Sequence, residues 1–217
     1  MNLKDLIIWG ASGHALVVSE IIRLAGEYEI VAFVDNVNEG LPPTFQGLPL
    51  LQSIDQLKAF YQQGASCIVA IGHCNARLKL AELVKAHGFE LARAIHPMAL
   101  LAEDVSIGRG SVIVGGVVIN PGSSVGENVI VNTSASVDHE CIIEDGAHIG
   151  PGAHLGGSVQ VGRAAWVGIG ATIKDRVRVG ANSIVGAGAV VLTDVPDNSV
   201  VVGVPARVKR NVEPDEN

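Results

Sequence analysis

Aromatic side chains make up only 4% of the 217 residues, and only three cysteines occur, Cys67, Cys74 and Cys141. A core with so few rings must be filled by β-branched and small side chains, which suits thin, regular layers better than one bulky centre. An odd set of cysteines without ligand-like spacing specifies neither a disulfide framework nor a thiolate metal site, and reads as reduced thiols of a cytoplasmic protein. Excess positive charge is missing too. A formal net charge of -7 and a pI near 5.4 argue against a nucleic-acid or membrane-surface binder, so an anionic substrate would need a local basic or backbone site. The N-terminus passes from Met1 straight into a strand-like segment, with no basic region, long apolar stretch or cleavage site, so neither a signal peptide nor a membrane span is expected.

What is present changes character near residue 97, and the length allows two modest domains. In residues 1–97, Leu6–Trp9 is a short apolar strand, followed by Gly10-Ala11-Ser12-Gly13-His14 and a run at helical spacing, Ala15–Leu24. A second strand, Ile30–Val34, ends in Asp35 and Asn36; a helix is expected over Ile54–Gln63, a third strand over Cys67–Ile71, and another helix over Arg77–His87. Such alternation specifies a Rossmann-like α/β domain with a parallel sheet covered by helices. Ligands of these sheets sit beyond the carboxyl ends of the strands, where helix N-termini offer amides to phosphate. Gly10, Ser12, Gly13 and His14 occupy that place, with Asp35 and Asn36 positioned for a ribose or base. The GxGxxG fingerprint is absent, so a mononucleotide is expected rather than NAD.

Residues 98–217 are a ladder. An aliphatic residue falls at every sixth position from Leu101 through Ile143 and Val167 to Val191, and a small or apolar residue follows each of them four places on, from Val105 and Ser111 to Val195. Sixth-residue periodicity with Gly, Asn, Asp and Ser between is the pattern of a parallel β-helix, each coil burying its aliphatics against the next.

The hexads, the leading Gly10-Ala11-Ser12-Gly13-His14, the closing Gly203-Val204-Pro205-Ala206, and the stretch Asn132-Thr133-Ser134 with Asp138-His139-Glu140-Cys141 together resemble the NeuD/PglD-like sugar acyltransferases. These are sialic-acid O-acetyltransferases and UDP-4-amino-sugar N-acetyltransferases, and the likeness covers almost the whole chain. The resemblance implies a left-handed β-helix of three hexads per coil, a homotrimer with active sites between subunits, and acetyl-CoA as cosubstrate. It implies His139 as general base, Glu140 as its assistant, and Asn132 and His148 near the acceptor. It also implies a CoA groove toward the carboxyl-terminal coils, to which His148, Gly157, Gly168, Ile169 and Gly186 are assigned, with Lys174, Arg176, Arg178, Arg207, Lys209 and Arg210 nearby for its phosphates.

His139 comes two residues after an inward aliphatic and so points outward. With eighteen residues per coil it stacks on Gly157, whose amide is then open to a developing oxyanion. Neighbours in a flat strand face opposite sides, so Glu140 reaches His139 only if the chain turns there. Cys141 falls at an inward phase and is read as packing. No metal is expected: His148 and His154 are six apart, about 20 Å of extended chain. Between the acceptors, the N-terminal glycine turn favours a UDP-linked amino sugar over sialic acid. A non-catalytic trimeric scaffold is the reading from another class.

Overall fold

The computed structural model describes residues 3–213 and 216, apart from 39, 58, 59, 62 and 63. Strands β1 (Lys4–Trp9), β2 (Tyr28–Val34), β3 (Thr44–Phe45), β4 (Leu48–Leu51), β5 (Ser66–Val69) and β6 (Glu90–Leu91) form one sheet in the order β3-β4-β2-β1-β5-β6. All neighbours but the β3–β4 hairpin pair in parallel. Helix α1 (Gly13–Ala25) packs Ala15, Val18, Ile21 and Ile22 on one face of that sheet. Helix α2 (Cys74–Ala86) packs Ala81 and Val84 against the other, beside Ile7, Trp9 and Val69. Within the expected helix at Ile54–Gln63 there is a 3-10 turn, Ile54–Leu57, and residues 58, 59, 62 and 63 lie outside the described ones.

From Ala94–Ile95, which pairs in parallel with Val112–Ile113, the chain winds as a left-handed parallel β-helix with strand partners eighteen residues apart. This first rung stands just ahead of the 97/98 division expected from composition. Each rung contributes two-residue strands to three sheets, with corners between them. The sixth-residue aliphatics and the small residues four places later are the buried interior: Ile113, Val117, Val131, Ala135, Ile149, Ala153, Val167 and Ala171 share one continuous core. Short inward side chains leave a prism too narrow for rings, which is why aromatics are scarce in this half.

The two halves share a core. On the first sheet of the prism the outward residues Val112, Val114 and Ile130 are buried against α1. Burying such a side chain contributes about 1.5–3 kcal/mol, so the N-terminal domain is docked firmly on the early coils. The next outward positions in that column are His148 and Trp166. The fold therefore places the carboxyl end of the parallel sheet beside these two rings.

Candidate active site

His139 sits at the corner between the second and third sheets of the prism, where the chain turns: Glu140 has φ +58°. The turn brings the two side chains together, and His139 Nδ1 lies 3.1 Å from Glu140 Oε2. A carboxylate only accepts, so the imidazole proton is on Nδ1 and Nε2 carries the lone pair. Ser158 Oγ donates to the same Glu140 oxygen at 3.4 Å. Asp138 accepts the His139 backbone N–H at 2.8 Å and an Asn120 amide N–H at 2.9 Å. These hydrogen bonds, Asn120's first, hold its carboxyl below the ordinary aspartate range.

The stacking on Gly157 is as the eighteen-residue coil requires. A Cβ built on Gly157 would stand 2.6 Å from both Cε1 and Nε2 of His139, so only glycine leaves room for the ring. Gly157 is buried under that ring rather than open, and its amide has no protein acceptor among the described residues. Around the pair is a cleft of about 560 Å³, lined also by His154, Thr172, Lys174 and Arg176. Ser136 holds the His154 ring at 2.8 Å from its Nδ1. Cys141 is buried, its Sγ 3.2 Å from the Gly156 carbonyl, and burial raises its pKa. It is a packing residue, as the inward phase indicates.

A second concavity, about 300 Å³, opens at the carboxyl ends of β1 and β2, lined by Gly10, Ser12, Asp35, Asn36, Ile71 and His73 among others. Gly10, at φ +132°, lets the end of β1 pass the Ala70 carbonyl, which would be 2.6 Å from any Cβ. The first-turn amides of α1 have no intrahelical partner, and Ser12 makes no side-chain cap. Asp35 is differently employed from the expectation that its carboxylate is open to a ribose or base. Oδ1 accepts the backbone N–H groups of Val37 and Asn38, and Oδ2 accepts the Asn38 amide. It shapes the loop. Asn36 Oδ1 accepts the Trp9 indole N–H at 3.2 Å.

Beside this concavity, His148 Nδ1 lies 3.3 Å from the Gly72 carbonyl, its Nε2 lies 3.3 Å from Asn132 Nδ2, and its ring stacks on Trp166. Trp166 and Arg77 are site neighbours that the sequence reading missed. The same eighteen-residue step that stacks His139 on Gly157 puts Trp166 directly after His148. Gly168, Ile169 and Gly186 lie at the corner between the first and second sheets. Ile169 is exposed, while Gly168 and Gly186 are needed by the coil itself, since a Cβ would meet Val185 O at 2.6 Å or the Val202 side chain at 2.8 Å.

Within one chain, then, Gly10, Ser12, Asp35 and Asn36 come together at one cleft, while His148, with Asn132 against its ring, lines a neighbouring cavity that shares His73 with it. His139, Glu140 and Gly157 are at another corner, and no N-terminal-domain residue lines their cleft among the described ones. No group of His, Cys, Asp and Glu among the described residues is arranged to hold a metal, and no described helix is long and apolar enough to cross a membrane.

Residues 5–84 match the model of the PglD N-terminal domain, and residues 158–193 that of the bacterial transferase hexapeptide, six repeats. GDP-perosamine N-acetyltransferase of Escherichia coli O157:H7 is 32% identical over 206 residues, 94% of this chain and 84% of that protein. A solved histidine-to-asparagine variant of perosamine N-acetyltransferase from Caulobacter crescentus, in complex with CoA and GDP-perosamine, superposes with a TM-score of 0.90 at 39% identity, covering 97% of this chain and 99% of that one. UDP-N-acetylbacillosamine N-acetyltransferase of Bacillus subtilis is 31% identical over 115 residues, 52% of each chain. With an α/β domain matched at one end, hexapeptide coils at the other and relatives aligned across both, this chain belongs to the NeuD/PglD-like family of sugar acyltransferases.

Proposed function

We propose that the enzyme transfers the acetyl group of acetyl-CoA to the amine of a nucleoside-diphosphate-linked 4-amino sugar, with His139 as general base. The observation that carries this reading is the imidazole held over Gly157 with Nδ1 on Glu140 and a basic Nε2. Nε2 takes the proton as the sugar nitrogen attacks the thioester carbon. The Gly157 amide, unpaired within the protein, serves the tetrahedral oxyanion. The C–S bond then breaks, and the imidazolium returns its proton to the departing sulfur. No acyl-enzyme is required, because Cys141 is packed inside the prism.

Two relatives that span most of the chain are named for GDP-perosamine or perosamine, which supports GDP as the nucleotide; a UDP-linked 4-amino sugar is the second reading, supported by the shorter match to the bacillosamine enzyme. The diphosphate is placed at the N-terminal end of α1, at Gly10, Ser12, Gly13 and His14, with the base toward Asp35 and Asn36. CoA is placed along Gly168, Ile169 and Gly186, reaching His148 and Gly157. Because His139 and the nucleotide cleft stand apart in one chain, the working site is assigned to the boundary between subunits of a homotrimer.

Thiol release from acetyl-CoA, followed with GDP- and UDP-linked 4-amino-4,6-dideoxy sugars and with sialic acid, tests the acceptor. In His139→Ala, kcat is expected to fall by about a thousandfold with the assembly intact. Near-normal turnover would remove His139 as base, and turnover with sialic acid alone would replace the amine by a hydroxyl.

A further inference from the structure

Arg77, on α2, is fully buried beside the Cys74 side chain, and its guanidinium donates five hydrogen bonds to carbonyl oxygens. Nη1 donates to Ile71 O at 2.9 Å and Gly72 O at 2.8 Å, at the end of the parallel sheet. Nε donates to Asn128 O at 2.8 Å, and Nη2 to Gly146 O at 2.7 Å and Ala147 O at 3.2 Å, on the β-helix. Burying a cation without a carboxylate is costly, and only a full set of well-placed acceptors offsets it.

What this guanidinium grips is the surrounding of one side chain. Gly146 and Ala147 directly precede His148, and the Gly72 carbonyl faces His148 Nδ1. On the ring's other side, Asn132 Oδ1 accepts the Thr133 backbone N–H at 2.8 Å, which turns the Asn132 NH2 toward His148 Nε2. A carbonyl at one nitrogen and an NH2 at the other admit a single ring state, with the proton on Nδ1.

We infer that Arg77 is a positioning residue: by clamping Gly72 and the Gly146–Ala147 backbone, it fixes His148 as a neutral imidazole in the Nδ1–H tautomer. The charges around the ring agree. Burial first, then Arg77, then His14 push the His148 pKa down to about 3. Burial and Arg77 push that of His14 down to about 4, and its Nε2 is buried without a partner. His148 is thereby removed as a base competing with His139. Its place at the end of the CoA groove rests on the proposed function, but its tautomer is a property of the free protein, so the two claims fail separately.

The test is nitrogen-15 NMR of histidine-labelled full-length protein, with His148 assigned through His148→Gln. Wild type is expected to show one His148 species, protonated on Nδ1 and unchanged from pH 8 to about pH 5. An Nε2–H ring, or titration near the ordinary histidine value, overturns the inference. Arg77→Lys keeps the charge but not the fork. If it folds, by circular dichroism, the second tautomer should rise from undetectable to a comparable population; a single Nδ1–H tautomer there would make Arg77 merely structural. Asn132→Ala serves whether or not Arg77→Lys folds. It leaves the Arg77–Gly72 clamp in place, so the Nδ1–H ring should persist, and its loss would show that Arg77 does not set the ring.

Discussion

Gly157→Ala isolates the placement of the His139 imidazole from every other part of the proposed machinery. The new methyl would begin 2.6 Å from His139 Cε1 and Nε2, whereas ordinary contact starts near 3.4 Å, so the ring must retreat by about 1 Å. That shift breaks the 3.1 Å contact with Glu140 and moves Nε2 off its line to the acceptor. A misplacement of this size costs about 100-fold in rate, or about 2.7 kcal/mol in the barrier. The fold should not suffer. Gly157 is not in the left-handed region, and the side chain that must move is 57% exposed. Alanine there should therefore leave stability unchanged or raise it by about 0.4–1 kcal/mol through the unfolded chain. The backbone amide is retained, so the oxyanion donor is not removed. Thiol release at saturating substrates, alongside thermal denaturation, reads both quantities. A folded variant with kcat within about threefold of wild type would refute the reasoning, because the imidazole would then not need its seat on Gly157.

Glu140→Gln removes the charge that pairs with Nδ1 while keeping an acceptor, and kcat should fall about tenfold in the same assay. An unchanged kcat would leave Glu140 without a role in activating the base. Acid should destabilise the protein through His14 and His148, whose folded values of about 4 and about 3 lie below the 6.5 of the unfolded chain. The unfolded state then binds more protons below pH 6.5, so the contribution is whole above that pH and is lost as pH falls toward the folded values. For His14 alone the loss by pH 4 is about 3 kcal/mol, readable by urea denaturation at pH 7, 5.5 and 4.5. Stability that stays level across this window would mean that the rings are not sequestered. Finally, Cys67, Cys74 and Cys141 are all buried, and burial raises each thiol, Cys67 to about 12. A disulfide exchange reagent should find no reactive thiol in the native protein and all three after denaturation. Rapid labelling of Cys141 would contradict its assignment to packing.

The coils were legible because their order is local: a hexad repeats within a few residues and needs no knowledge of distant partners. The parallel sheet was legible for the same reason, in strands followed by Gly10 and Asp35, although the third, expected over Cys67–Ile71, is Ser66–Val69 and ends before Gly72. Contacts that join the halves were not. Nothing in a single hexad distinguishes Val112 and Ile130, covered by α1, from Ile142, which stands exposed in the same outward phase on another sheet. Arg77 looks like any cation on a helix until the fold surrounds it with carbonyls. Asp35 was found by its position at the end of β2, but the choice between a ligand and its own loop depends on where Asn38 points. A strand-end carboxylate carries both readings in sequence.

The meeting of His139 and Glu140 shows how a local rule can mislead and a longer one correct it. Alternation along a strand sends neighbours to opposite faces, but these two residues are at a corner. The corner phase can be read from the sequence: Gly110, Gly116, Gly122, Asn128, Gly146, Gly152, Gly170, Asn182 and Gly188 fall six or a multiple of six apart and all have positive φ. Glu140 lies in that series at φ +58°, in a conformation that costs a β-carbon residue about 1 kcal/mol and that glycine or asparagine adopts freely. Ser134, Ser158, Ala164 and Arg176 share this phase and its positive φ, and at Glu140 the strained conformation turns the carboxylate back onto His139, where Ser158 one coil on steadies it. The fold gives up a little stability at this corner and obtains an oriented imidazole. The same corner in the preceding coil, Gly122, has no side chain to clash with Glu140, whose Cγ would be 3.2 Å from a Cβ there. Three successive coils therefore cooperate in holding one histidine–glutamate pair: Gly122 makes room, Glu140 turns, and Gly157 with Ser158 seats the ring and holds the acid.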